Sequence, residues 1–160
     1  MRVLFLDVDG VLINLSCYGK GETADPYTRA DSRCVEALNR ITDETGVAIV
    51  VSSVWRLGGL GKIRDILRAW GVTGKIIGVT PDLAHKPKEG VLWRHVQRGD
   101  EIQAWLDSYT RKPVESFCIV DDDADMKHLA SRLVQAEFTD GLTHAHAERA
   151  IELLTGVRHG

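Results

Sequence analysis

The chain begins with an unbroken apolar run, Val3-Leu4-Phe5-Leu6, that stops at Asp7-Val8-Asp9-Gly10-Val11-Leu12. Runs of this kind without polar alternation predict a strand buried on both faces, as in parallel sheets. The pattern returns at Val47-Ala48-Ile49-Val50-Val51 and at Phe117-Cys118-Ile119-Val120. Shorter runs at Lys75 to Val79 and near Leu133 to Phe138 predict two further strands. Between them the apolar spacing changes to that of helices. Val35, Leu38 and Ile41 face one way in a helix capped by Asp31 or Ser32 and running to about Thr45, with Gly46 as its stop. Ile63, Ile66 and Leu67 do so from Leu60 to Trp70, before Gly71. Gly99 to Tyr109 carries Ile102, Trp105, Leu106 and Tyr109 inward, and Thr143 to Leu154 carries Ala147, Ala150, Ile151 and Leu154. A short helix is expected after Met126, while residues 13–30 and 80–98 read as loops.

Strands alternating with helices predict an α/β fold: a Rossmann-like, doubly wound parallel sheet of about five strands, with helices on both faces and right-handed crossovers. At 160 residues the chain is expected to form one domain. The consequence for chemistry is convergence. Asp7 and Asp9, Ser52 and Ser53, and the run Asp121-Asp122-Asp123-Ala124-Asp125 all follow the carboxyl ends of predicted strands. Open α/β sheets bind their ligands at that edge.

Period-2 alternation sends Asp7 and Asp9 to one side of the chain. Two crowded carboxylates repel, so one must take up a proton or a cation must sit between them. The pair therefore points to a metal site, an acid/base pair, or both; an Asp-rich turn is the plainer alternative. Ser52 and Ser53 can equally be an ordinary strand end.

Composition narrows the class. Hydrophobic residues make up 44% of the chain and charged residues 27%, as in globular proteins. No apolar run approaches the roughly 18 residues of a membrane helix, so no membrane association is expected. The short apolar start ends at Asp7 and does not read as a signal peptide. Cys17, Cys34 and Cys118, odd in number and widely spaced, predict reduced thiols in a cytoplasmic protein. Net charge is −3, but six of the 23 acidic residues lie in the two clusters after the first and fourth strands. Set those aside and 17 acidic residues face 20 basic ones. An acidic focus in a slightly basic body suits a divalent cation and an anionic substrate.

These residues carry a resemblance. Asp7-Val8-Asp9-Gly10-Val11 resembles the first signature of the haloacid dehalogenase (HAD) superfamily of phosphatases, Ser52 after an apolar strand the second, and Val120-Asp121-Asp122 the fourth. More narrowly, Val51-Ser52-Ser53-Val54-Trp55-Arg56, Arg98-Gly99-Asp100-Glu101-Ile102 and the acidic run resemble the HAD domain associated with RNA repair proteins. The third signature, a Lys or Arg near the start of the helix before the fourth strand, is met by Arg98, with Lys86 and Lys88 as rivals.

The resemblance implies a phosphatase. Asp7 is then the nucleophile that forms an aspartyl-phosphate, and Asp9 the acid that protonates the leaving oxygen and later the base for water. Mg²⁺ is the implied cofactor, held by Asp7, the main-chain carbonyl of Asp9 and an acid of the fourth-strand cluster, Asp121 or Asp122. Ser52 donates to a phosphoryl oxygen, and Arg98 offsets developing negative charge. Substrate contacts are expected from Ser53, Arg56, Lys86 and Lys88, with Trp55 also near the substrate.

The segments after the first two strands are too short for a sizeable cap domain. An open crevice suits a large substrate, such as a nucleic-acid end, and residues 85–98 carry Lys86, Lys88, Arg94 and Arg98 against Glu89 alone. Two other readings stay open: a phosphatase of free nucleotides or small metabolites, and a non-catalytic phospho-accepting signalling module. The order Asp-x-Asp, Ser, Arg, Asp-Asp speaks against the last.

Overall fold

The computed structural model describes residues 1–18, 26–84 and 96–157. Lys86, Lys88, Arg94 and the loop around them lie outside the described residues. Five strands form one all-parallel sheet: β1 (Arg2–Leu6), β2 (Ala48–Val51), β3 (Ile76–Val79), β4 (Ser116–Asp121) and β5 (Leu133–Gln135). Their spatial order is β3-β2-β1-β4-β5. The chain thus builds outward from β1 on one side, returns across the sheet, and builds outward again on the other.

That order decides which face each helix covers. Helices α1 (Ser32–Thr45) and α2 (Leu60–Ala69) link strands that step in one direction, so right-handed crossovers place them on one face. Helix α3 (Arg98–Ser108) links β3 to β4 in the opposite direction and covers the other face. Helix α4 (His144–Thr155) returns to the first face, where Ala147, Ala150 and Ile151 join Leu38, Ile41, Ile63 and Leu67 over Leu4, Leu6 and Val51. On the second face, Ile102 and Trp105 pack on Val3, Phe5, Val50 and Ile119. Phe5 meets Trp105 edge-on, with ring centroids 5.4 Å apart. Alternation along β1 therefore divides Leu4 and Leu6 from Val3 and Phe5, and all four are fully buried.

Both ends of α1 are closed by residues expected from the sequence. Asp31 caps α1 by accepting from the Arg33 N–H, and Gly46 ends it in the left-handed region at φ 64°. In α4 the Thr143 hydroxyl accepts from the His146 N–H, and His146 Nδ1 accepts from the Thr143 N–H. The fifth strand is shorter than expected, because the chain turns away after Gln135. The segment after Met126 forms a 3₁₀ helix (Lys127–Arg132). Apart from α1, α2 and β3, the described parts of the segments following the first two strands hold only short 3₁₀ turns at Leu15–Cys17, Pro26–Thr28 and Val54–Gly58.

Close approach requires glycine at several positions, Gly10 and Gly99 among them. Gly10 has φ +77°, and a Cβ there would overlap the Asp122 carboxylate. At Gly99, in the first turn of α3, a Cβ would collide with the Met126 main chain. Helix propensity alone would favour Ala over Gly by about 1 kcal/mol. A clash against backbone, which cannot rotate away, typically costs about 1–3 kcal/mol. Gly99→Ala should therefore lower thermal stability by several degrees, read by calorimetry; a rise in Tm would show that the contact is soft.

Candidate active site

The strand order reverses between β1 and β4, and there the crossovers leave in opposite directions. A crevice opens at such a switch point, at the carboxyl ends of the strands. Leu6 pairs with Val120, so the next residues, Asp7 just past β1 and Asp121 at the end of β4, lie side by side. The Asp7 N–H donates to the Val120 carbonyl at 2.9 Å and continues the ladder one step further. Beyond Asp7 the chain closes a tight turn in which the Val8 carbonyl accepts from Leu12 and Ile13 at 2.9 and 3.1 Å. Val8, Val11, Leu12 and Ile13 are fully buried, which anchors the two aspartates from below.

Asp7, Asp121 and Asp122 bring one carboxylate oxygen each within 4.8 Å of one another. Asp7 and Asp121 are 7% and 2% exposed. Asp121 Oδ1 accepts from the Asp123 N–H at 3.0 Å, while Asp121 Oδ2 is buried without a hydrogen-bond donor. Burial pushes the Asp7 carboxyl up to about 6, against the pull of the Val8 N–H and Arg98. Burial, then the charge of Asp7, pushes Asp121 up to about 8. Hard oxygen ligands, crowded and short of donors, suit Mg²⁺, and this donor set fits that ion. Asp121 and Asp122, the two acids offered by the sequence, both reach the cluster. The Asp9 side chain stands apart from it.

The cleft over these groups has a volume of about 200 Å³ and is lined by Asp7, Asp9, Val54, Arg98 and the acids of the β4 cluster. A neighbouring cleft of about 160 Å³ shares Val54, Arg98 and Asp125 with it. Arg98 enters from α3. Its Nη1 lies 3.2 Å from Glu101 Oε2 and its Nε 3.6 Å from Asp121 Oδ2. Asp125 sets the start of that helix: its Oδ2 accepts from the Arg98 N–H at 2.9 Å, and its carbonyl accepts from Gly99. The acidic run thus supplies two carboxylates of the cluster and a helix cap from one short segment. The rival cations Lys86 and Lys88 fall outside the described residues.

Ser52 and Ser53 are 1% and 0% exposed, beneath the cleft. The Ser53 side chain is close enough to the Asp7 carboxylate to lower its pKa by hydrogen bonding, whereas the Ser52 hydroxyl has no partner. Arg56, expected to contact substrate, lines the neighbouring cleft. It is buried, and its guanidinium donates to the carbonyls of Ser53, Thr80 and Pro81 and, at 2.8 Å, to Glu101 Oε1. Three carbonyls and one carboxylate surround its guanidinium, so it holds the Ser53 turn in place. Trp55 donates from Nε1 to Asp9 Oδ2 at 3.0 Å.

Glu101, Asp125 and the Trp55–Asp9 bond were not singled out from the sequence. Glu101 follows Arg98 by three residues, a spacing shared by many solvated helix pairs. Only the packing of α3 shows that Glu101 is 4% exposed and bonded to Arg98, Arg56 and the Leu83 N–H.

With this geometry, the comparison with known families is specific. A family model described as the HAD domain in Swiss Army Knife RNA repair proteins matches residues 3–147, and the chain belongs to that family. It is therefore a HAD-superfamily domain, and it carries an acidic cluster that could hold a metal ion. No curated protein and no solved structure matches it significantly. Among the described residues no helix is long and apolar enough to cross a membrane.

Two expectations follow. Asp7 and Asp121 have folded pKa values raised above the unfolded 3.8, so between pH 4 and about 8 the folded state binds more protons than the unfolded state. Their contribution is fully present below pH 4 and lost as pH rises through the folded values. In chelator, Tm should fall between pH 5 and pH 8, and added Mg²⁺ should raise it more at pH 8; Asp121→Asn should flatten both effects. A chelated Tm that rises over that interval in wild type but not in Asp121→Asn would contradict the assignment. Glu101→Gln leaves Arg56 charged and buried without its carboxylate. Removing one partner of a buried pair costs about 3–5 kcal/mol, and the retained amide oxygen places this variant near the lower figure by denaturant unfolding.

Proposed function

We propose that this domain is a Mg²⁺-dependent phosphatase that hydrolyses a phosphomonoester through an aspartyl-phosphate on Asp7. The observation that carries the reading is the buried cluster of Asp7, Asp121 and Asp122 facing Arg98 at the switch point of the sheet. Asp7 is the nucleophile. One of its carboxylate oxygens attacks phosphorus as the ester P–O bond breaks, and Asp9 gives its proton to the departing alkoxide. In the second half Asp9 takes a proton from water, the water oxygen attacks the aspartyl-phosphate, and phosphate leaves with the Asp7 carboxylate restored. Phosphoryl transfer depends mainly on positioning and on neutralising charge on the peripheral oxygens. Arg98 supplies part of that from α3. Ser52, whose buried hydroxyl lacks a partner in the protein, is the donor for a phosphoryl oxygen, with Ser53 beside Asp7. Asp7, Asp121, Asp122 and the Asp9 carbonyl would hold Mg²⁺, which would supply Lewis-acid neutralisation of the phosphoryl group.

The substrate proposed is large, with a nucleic-acid end as the leading choice. The support is the family's occurrence in RNA repair proteins and a pair of adjoining clefts without a sizeable cap among the described residues. Lys86 and Lys88 are proposed to track the phosphate backbone, and cytoplasmic action on a single-domain scaffold completes the reading.

Phosphate release from a 3′-phosphorylated oligonucleotide and from an aryl phosphate, each with Mg²⁺ and with chelator, tests this directly. Both should turn over only with Mg²⁺, the oligonucleotide with the higher kcat/KM. Asp7→Asn should lower both by on the order of 10³ or more. Aryl phosphate turnover alone would retain the chemistry and move the substrate to small metabolites. No turnover of either would overturn the phosphatase reading.

A further inference from the structure

We infer that Trp55 is a positioning residue for Asp9: its indole N–H holds Asp9 Oδ2 and leaves Oδ1 as the oxygen presented to the leaving group. The inference rests on the reading of Asp9 as the general acid of a phosphatase. An aspartate carboxyl rotates about a broad, two-fold torsion, so its own side chain does not select which oxygen faces the cleft. Something outside the residue has to do so. The bond from Trp55 Nε1 to Asp9 Oδ2 is 3.0 Å long, and indole is a donor only. The oxygen it holds must accept, which leaves the other oxygen to exchange a proton with substrate.

The donor is itself fixed at three points. The Trp55 main-chain N–H donates to the Ser53 hydroxyl at 3.3 Å, at the start of the 3₁₀ turn that follows β2. Arg56 binds the Ser53 carbonyl at 2.7 Å and anchors that turn through its bond to Glu101. The indole ring lies edge-on to Trp70, at the end of α2, with centroids 5.5 Å apart and planes at 68°. A ring held by its backbone and by a second ring gives the carboxylate a defined direction. Asp9 and Trp55 are 46 residues apart, and they meet because β1 and β2 are neighbours in register. Exposed Val54, from the same turn, lines the cleft that Asp9 also lines. The turn therefore contributes both a wall of the cleft and the aim of its acid.

The distinguishing property is dependence on the leaving group. A phenolate with a low pKa departs with little help from an acid, whereas a sugar alkoxide needs its proton. We therefore compare kcat/KM, which reports the step in which the leaving group departs, for an aryl phosphate and a 3′-phosphorylated oligonucleotide. Trp55→Phe keeps an aromatic ring beside Trp70 and removes the N–H together with the five-membered part of the indole. It should lower kcat/KM for the oligonucleotide about 10–100-fold, part of the 10²–10⁴ that general acid catalysis contributes, and for the aryl phosphate far less. The ratio of the two should thus shift tenfold or more. Trp70→Leu, which loosens the backing ring, should shift the ratio in the same direction by a smaller factor. Equal slowing of both substrates by Trp55→Phe would show a structural role only, and no change in either would show that the bond has no function. Both results overturn the inference. Should Trp55→Phe fail to fold, an unchanged ratio in Trp70→Leu overturns it. Wild-type protein inactive on both substrates would instead overturn the phosphatase reading, and this inference with it.

Discussion

The rest of the structure depends on one juxtaposition: two aspartates emerging side by side from adjacent parallel strands. Because Leu6 and Val120 are paired, Asp7 and Asp121 cannot separate by more than the spacing of neighbouring strands, roughly 5 Å. Both are buried, so neither can lose its repulsion to solvent. The surroundings answer this in several ways. Arg98 approaches from the helix on the second face, the Asp123 and Val8 N–H groups donate to the carboxylates, and one oxygen of Asp121 is left over for a cation. Such a site is poorly suited to the protein alone and well suited to a charged ligand.

Holding that arrangement requires a second layer. Arg98 would be drawn fully onto the carboxylates if nothing opposed it, but Glu101 bonds it from behind. Glu101 in turn meets Arg56, whose other donors go to main-chain carbonyls after β2 and β3. A chain of alternating charge thus runs from Asp121 through Arg98 and Glu101 to Arg56 and ends on backbone. Buried ion pairs contribute little net stability, since desolvation offsets their attraction. Their effect here is geometric. They tie α3, the turn after β2 and the loop after β3 to a common centre, and each of those segments borders a cleft.

The acidic run after β4 shows how densely one segment can be used. Asp121 and Asp122 join Asp7 in the carboxylate cluster, Asp123 turns onto the Ala124 N–H, and Asp125 caps α3. Gly10 belongs to the same device, since the Asp122 carboxylate occupies the space a Cβ would take. A glycine after the second aspartate of the first motif is required by an acid more than a hundred residues away.

Much of this was legible in the sequence because it is governed by local rules. Burial on both faces makes a parallel strand apolar throughout, so β1, β2 and β4 were visible with little error, and capping chemistry marked both ends of α1. The convergence of Asp7, Ser52 and Asp121 followed from the rule that ligands bind at the carboxyl edge. Strand order was another matter. No local pattern states that β4 lies beside β1, and that neighbour relation decides which aspartates touch. Likewise Arg56 read as a substrate contact and Glu101 as one residue of a motif until packing buried and paired both, and Trp55 read as a substrate-facing ring until the turn after β2 directed its N–H to Asp9. The sequence by itself determined the strands, the helices and the chemical types gathered at one edge. Tertiary structure alone decided which of those groups are in contact, because desolvation and pairing depend on neighbours in space.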